Sequence, residues 1–241
     1  MDKALTRAVL VLSVLVGFLS TLRAQPACYE WSGIPADAFR PHGAFVFDTL
    51  RQRAVGWGGD VLREWDGTFW HNIQPVVRPV DRDNTMMAFD SRRGLTWLFG
   101  GWIQGIGIPN INLNVLWFWN GSAGTQVPFS GPWPSPRSHA RMVYDSIRDV
   151  LVLQSGDLQA QGPIIRSNET WEFSPATSTW SLRSTSGPVE LGEMVYYPPG
   201  PYSLFVERQV GGAMVTWAWD GLNWSIPTTT TLQNSVWRFG L

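Results

Sequence analysis

The stretch MAFDSRRGLTWLFGG, residues 87–101, decides the fold. Two short apolar runs, 87–89 and 95–99, flank a polar turn that starts at Asp90. The second run ends on Gly100-Gly101. Short apolar runs bounded by turn residues read as strands, and a glycine pair lets the chain leave the second strand at positive φ. The same arrangement recurs. AFVFD (44–48), MVYD (142–145) and MVYY (194–197) match MAFD (87–90). Asp48, Asp90, Asp145 and Tyr197 stand in register, at steps of 42, 55 and 52 residues.

Working outward, each first strand is followed by a second: RAVGWGG (53–59), LTWLFGG (95–101), VLVLQSG (150–156) and SLFVERQ (203–209). A third follows at REWDG (63–67), WFWNG (117–121), WEFSP (171–175) and WAWDG (217–221). Trp70, Trp180 and Trp224 then open a fourth, with Gln126-Val127 near that place in the second unit. The Asp66-Gly67, Asn120-Gly121 and Asp220-Gly221 pairs are strong hairpin signals, with Ser174-Pro175 as a variant. A catalytic acid box has no use for a copy in every unit, so these pairs read as turns between strands three and four.

Four strands in roughly 50 residues, repeated, is the period of a propeller blade. Blade sheets are covered on both faces by their neighbours, which explains unbroken apolar runs such as VLVL (150–153). The expected fold is all-β, a small β-propeller of four-stranded antiparallel blades. Its units span about 40–75, 82–128, 137–183 and 189–227. These motifs resemble kelch-repeat β-propellers, the group that includes the central domain of galactose oxidase. The resemblance covers about residues 40–226, and it implies fold far more than function. EWSGIP (30–35) resembles NWSIP (223–227), and NSVWRF (234–239) resembles NETWEF (168–173). The end segments 28–35 and 233–241 are therefore expected to be strands that latch about four to five units into a monomer or a self-completing oligomer.

Of the 241 residues, 15% are charged, with 15 Trp, 24 Gly and a formal net charge of −1. This composition favours strands and turns, and it lacks the basic patch that nucleic acid calls for. Residues 1–24 carry a basic start at Lys3 and Arg7, an apolar run and a small residue at Ala24. That is the pattern of a secretory signal peptide, which predicts a secreted, extracellular or periplasmic domain over 25–241 with no stable membrane span after cleavage. With Cys28 as its single cysteine the chain cannot form an internal disulfide.

Loops between strands two and three share a face with the blade-to-blade connections. Two are long: WIQGIGIPNINLN (102–114) and DLQAQGPIIRS (157–167). Loops that lengthen on one face of a repeat array mark a binding face. The candidate ligand-binding residues are Trp102, Gln104, Asn110, Asn112, Asp157, Gln159, Gln161 and Arg166. Amides with a Trp suit a protein or a neutral glycan. Blade entries carry Arg40 and His42, Arg82, and Arg137 and His139 near the channel mouth. A guanidinium ring can hold an anion, but recurrence at equivalent positions favours a structural role. His42, His71 and His139 show no metal-ligand spacing, and the galactose-oxidase copper ligands do not carry over. No metal or cofactor is expected. The leading reading is a non-enzymatic binding module. The alternatives are a carbohydrate-active enzyme on a propeller scaffold, with Asp157 as the acid to watch, or a fragment completing a larger ring.

Overall fold

The computed structural model describes residues 43–200, 202–209 and 211–227. The leader-like segment 1–24, Cys28, Arg40, His42 and the end segments 28–35 and 233–241 lie outside the described residues. All described residues belong to one compact unit, Asp37–Leu241.

The described residues form no helix, and none of them makes a helix long and apolar enough to cross a membrane. They build four antiparallel sheets of four strands each, arranged as a four-bladed β-propeller. Blade 1 holds β1 (Ala44–Asp48), β2 (Arg53–Gly58), β3 (Val61–Trp65) and β4 (Trp70–Ile73). Blade 2 begins with β5 (Met86–Asp90) and β6 (Leu95–Phe99). A small hairpin follows, β7 (Trp102–Ile103) with β8 (Ile111–Asn112), before β9 (Leu116–Trp119) and β10 (Gly124–Gln126) complete the blade. Blade 3 holds β11 (Arg141–Asp145), β12 (Val150–Gln154), β13 (Thr170–Ser174) and β14 (Thr179–Ser184). Blade 4 holds β15 (Gly192–Tyr197), β16 (Tyr202–Arg208), β17 (Met214–Trp219) and β18 (Trp224–Ser225). The inner strands lie side by side in chain order, β1 with β5, β5 with β11, and β11 with β15. Together they line a central channel of about 700 Å³.

The register fixes which side of each blade a residue faces. Ala54, Thr96, Leu151 and Ser203 pair with Trp65, Trp119, Phe173 and Trp219. One position earlier, Glu64, Phe118, Glu172 and Ala218 point to the opposite side of their blades, toward the blade that follows. In the core, Phe173 and Trp219 are fully buried and Trp119 is 7% exposed, each against the preceding blade. Burying such a side chain contributes about 1.5–3 kcal/mol. Blade 1 has no described blade before it. There Phe45 and Phe47 are 71% and 50% exposed, while the matching Met142 and Tyr144 of blade 3 are 5% and 6%.

The junctions are also polar. Glu64 of blade 1 accepts a bond from the Trp119 indole of blade 2 at 2.8 Å, and Glu172 of blade 3 accepts one from Trp219 of blade 4 at 2.8 Å. Arg51 and Arg148 brace these acids, and each also holds the acid of its own first turn, Asp48 or Asp145, at 2.7 Å. The blade 2–3 junction has Phe118 where the others have Glu. Its charge link moves to Arg93, which bonds both Asp90 and Asp149. Trp97 stands there between Phe118 and Phe173, with ring centres 5.2 and 5.3 Å away.

The turns follow the sequence. Asp66, Asn120 and Asp220 each accept two backbone N–H bonds from the residues two and three ahead. Gly67, Gly121 and Gly221 take φ of 100°, 92° and 98°. A side-chain acceptor and a positive-φ glycine together make the tight outer turn.

Candidate functional site

The face opposite those turns carries both long loops and the blade connections. Its groundwork is the blade entry. Asp83 exchanges backbone bonds with Trp102 at 3.0 Å, and Ser138 does the same with Asp157 at 3.1 and 2.8 Å. Asn84 and His139 then take φ of 51° and 56°, turning the chain into β5 and β11. The His139 amide donates to the Asn84 carbonyl at 3.2 Å, so neighbouring entries are joined directly.

Arg82 and Arg137 are buried, at 3% and 0% exposure. Each guanidinium turns into its blade. Arg82 donates to the Val80 and Gly100 carbonyls at 3.1 Å, and Arg137 to those of Ser135 and Ser155 at 3.1 Å. Arg137 also pairs with Glu169 at 2.6 Å. Burial lowers the Arg82 pKa to about 10, and burial also lowers that of Arg137 against the pull of Glu169. At this level the channel is lined instead by Asn84, His139, Arg141 and Glu193. Arg141 bridges blades 3 and 4 through Glu193 at 2.8 Å.

The loop residues fall into two groups. Asp157, half-buried, is the hub of a charged cluster. It faces His139 Nδ1 at 3.2 Å and Arg166 Nε at 3.4 Å, and Arg166 also pairs with Glu190. Glu190 and Glu193 come from the fourth unit, and sequence reasoning missed both. Nothing in their local sequence marks them, because the partners lie on other blades. Ser138 Oγ also sits 3.2 Å from His139 Nδ1. Serine and aspartate thus meet the same ring nitrogen. A nucleophile relay needs them on opposite nitrogens. Arg166 thus lies between the Asp157 and Glu190 carboxylates, so the two acids meet through its guanidinium.

The second group ties the loops to each other. The Asn112 side-chain amide donates to the Asp157 carbonyl at 2.8 Å, and the Asn110 backbone N–H to Gln161 Oε1 at 3.0 Å. Trp102 is half-buried in the β7–β8 hairpin, while Gln104 and Gln159 are exposed. What the two loops present outward is apolar. Ile106, Ile108 and Ile164 are 97%, 67% and 68% exposed, with Ile111 and Ile165 beside them in sequence also open. Neither 102–114 nor 158–165 contains a charged residue. Among the described residues no group of His, Cys, Asp and Glu is placed to hold a metal ion.

No protein-family model and no curated protein matches the sequence. The chain is similar in structure to the solved structure of YjhT, with a TM-score of 0.58 at 13% identity. The match covers 79% of this chain and 66% of that one, so the chain spans just under two thirds of that protein's length. At this identity the likeness is one of fold, and it is a propeller fold.

Proposed function

We propose that this chain is a secreted, kelch-like propeller that works as a binding module and takes a protein ligand on the face of loops 102–114 and 157–167. One observation carries the reading. Two loops from adjacent blades, without charge over 102–114 and 158–165, are hydrogen-bonded into one surface, and that surface exposes isoleucines. An exposed apolar patch on a rigid scaffold marks an interaction site. Cross-loop bonds hold it in shape before a partner arrives, which lowers the ordering cost of binding. Glycan recognition would rest on an open aromatic platform, and Trp102 is folded into the hairpin instead. The signal-like residues 1–24 support export.

The test uses the mature chain as bait for phage-displayed peptides, beside a glycan array. Peptides should be selected, and the Ile106→Asp/Ile164→Asp double variant should lose them at unchanged thermal stability. Glycan hits without peptide hits would overturn the ligand class, and peptide binding that survives both substitutions would overturn the site. The carbohydrate-enzyme reading draws on the meeting of Asp157, Glu190 and His139. It predicts turnover of an aryl glycoside that Asp157→Asn abolishes.

A further inference from the structure

The junctions after blades 1 and 3 are built alike around Glu64 and Glu172, yet their outer edges differ. Around Glu64 the places hold large or charged side chains. His71 pairs with Glu64 in register and sets Nε2 2.6 Å from Asp66 Oδ2, Arg53 Nε lies 4.0 Å from Glu64, and Phe69 precedes Trp70. Around Glu172 the matching places hold small ones. Ser181 pairs with Glu172, Ser174 stands for Asp66, Val150 for Arg53, and Thr179 precedes Trp180.

Between blades 3 and 4 lies a cavity of about 390 Å³, opening on the turn face. Cavities of roughly 300–1,000 Å³ hold small ligands. Its blade 3 wall is a run of hydroxyls. Thr179 and Ser181 are alternate residues of β14 and share the side of Glu172, and Ser174 pairs with Thr179. Its blade 4 wall is the outer turn with Asp220 and Leu222. Arg148 packs on Gly221 of that turn, where a Cβ would strike its guanidinium.

The charges balance. Arg148 and Arg183 both hold Glu172, and Arg183 Nη2 donates to the Gly221 carbonyl at 3.1 Å. Asp220 Oδ1 accepts the backbone N–H groups of Asn223 and Leu222 at 2.7 Å, and these bonds hold its carboxyl below the usual carboxylate range. Among the described residues, Ser181 Oγ, Arg183 Nη1 and Asp220 Oδ2 are left without a partner. With two arginines set against two acids, an anion loses to the acids what it gains from the arginines. Hydroxyls both donate and accept, so they match a ligand that does the same at neighbouring positions. Leu222 and Val150 offer its carbon atoms an apolar contact.

We propose that the cavity between blades 3 and 4 is a second binding site, for a neutral polyhydroxylated ring. Thr179, Ser181 and Arg183 hold one edge of the ring and Asp220 accepts from the other. A ring held edge-on by its hydroxyls needs no stacked aromatic. The site lies on the face opposite loops 102–114 and 157–167 and is independent of their ligand.

Saturation-transfer NMR on the full chain tests this, with glucose, mannose and myo-inositol as probes and inorganic phosphate and glycine as competitors. At least one neutral probe should receive saturation. Ser181→His, which copies the side chain of blade 1, should abolish the transfer at unchanged Tm. Ser181→Ala and Thr179→Val add no bulk, and each should weaken binding about fivefold, the worth of one hydrogen bond. Ile106→Asp/Ile164→Asp should leave binding intact. Transfer to none of the neutral probes overturns the ligand class, and displacement by phosphate or glycine overturns the charge argument. Transfer that survives Ser181→His, or equal affinity in both hydroxyl deletions, overturns the site. Loss in the isoleucine variant would assign the ring to the loop face and overturn this site as well.

Discussion

The junction between blades 3 and 4 can be broken at one residue. Glu172 is 8% exposed and holds three donors: Trp219 Nε1 at 2.8 Å, Arg183 Nε at 3.3 Å and a close bond from Arg148. In Glu172→Leu the Trp219 indole, fully buried, keeps a donor with no acceptor, a loss of about 1–3 kcal/mol. Arg148 keeps Asp145 at 2.7 Å and is partly solvated, so its share is about 1 kcal/mol. The expected total is about 2–4 kcal/mol. Trp219→Phe alone removes one neutral-to-charged hydrogen bond and a little volume, about 1–2 kcal/mol. Combined, the orphaned donor no longer exists, and the junction copies the apolar one that Phe118 and Phe173 already make. The double variant should therefore be more stable than the sum of the single effects by about 1 kcal/mol or more. Urea unfolding followed by tryptophan fluorescence measures all four species. A change of 3 kcal/mol moves the midpoint by about 1–2 M at ordinary m-values. Additivity within about 0.5 kcal/mol would refute the coupling. A Glu172→Leu variant as stable as the parent would refute the claim that the indole needs its acceptor.

Two further outcomes follow from the same geometry. Gly67→Ala and Gly101→Ala both place a Cβ at positive φ, yet they should differ. At Gly67 a Cβ meets nothing within 4 Å, so only the backbone cost of about 1–2 kcal/mol applies. At Gly101 it would stand 2.7 Å from the Asp83 carbonyl oxygen, and thermal unfolding should show a loss of about 3 kcal/mol or more. The bond from Arg93, helped by Tyr144, holds the Asp149 carboxyl well below the usual carboxylate range. A folded-state pKa below the unfolded one adds stability that is complete above about pH 4 and fades as pH falls toward the folded value. Asp149→Asn, which suits the residue's φ of 57°, should flatten stability against pH below about 4. Unchanged acid sensitivity would remove Asp149 from that role.

The blades were legible because their signals are local. An acid closing the first strand, glycines after the second and Asp-Gly after the third are all demanded by backbone within a few residues. Ser155 shows the tolerance of that demand. It stands where blade 2 has Gly100, and it adopts φ of 64° against 62°. The β7–β8 hairpin was not legible. Its strands have two residues each, and the Asp83 backbone sets their place from outside the loop. Nor were Glu190 and Glu193 visible as partners of Arg166 and Arg141, since only the ring brings the fourth unit beside the third.

The same contrast separates the two faces of the molecule. On the turn face, each requirement belongs to one blade, so the residues repeat and the sequence announces them. Between blades, a requirement belongs to a pair, so Glu with Trp can give way to Phe with Phe without harm, and no single position need repeat. That freedom explains why Phe118 breaks the pattern at one strand while Phe173 breaks it one unit later. On the loop face no repeat is required at all. Two loops are free to lengthen, shed charge and expose isoleucine, while Arg82 and Arg137 hold the entries beneath them. A binding surface can thus change its chemistry there without disturbing any junction that keeps the propeller together.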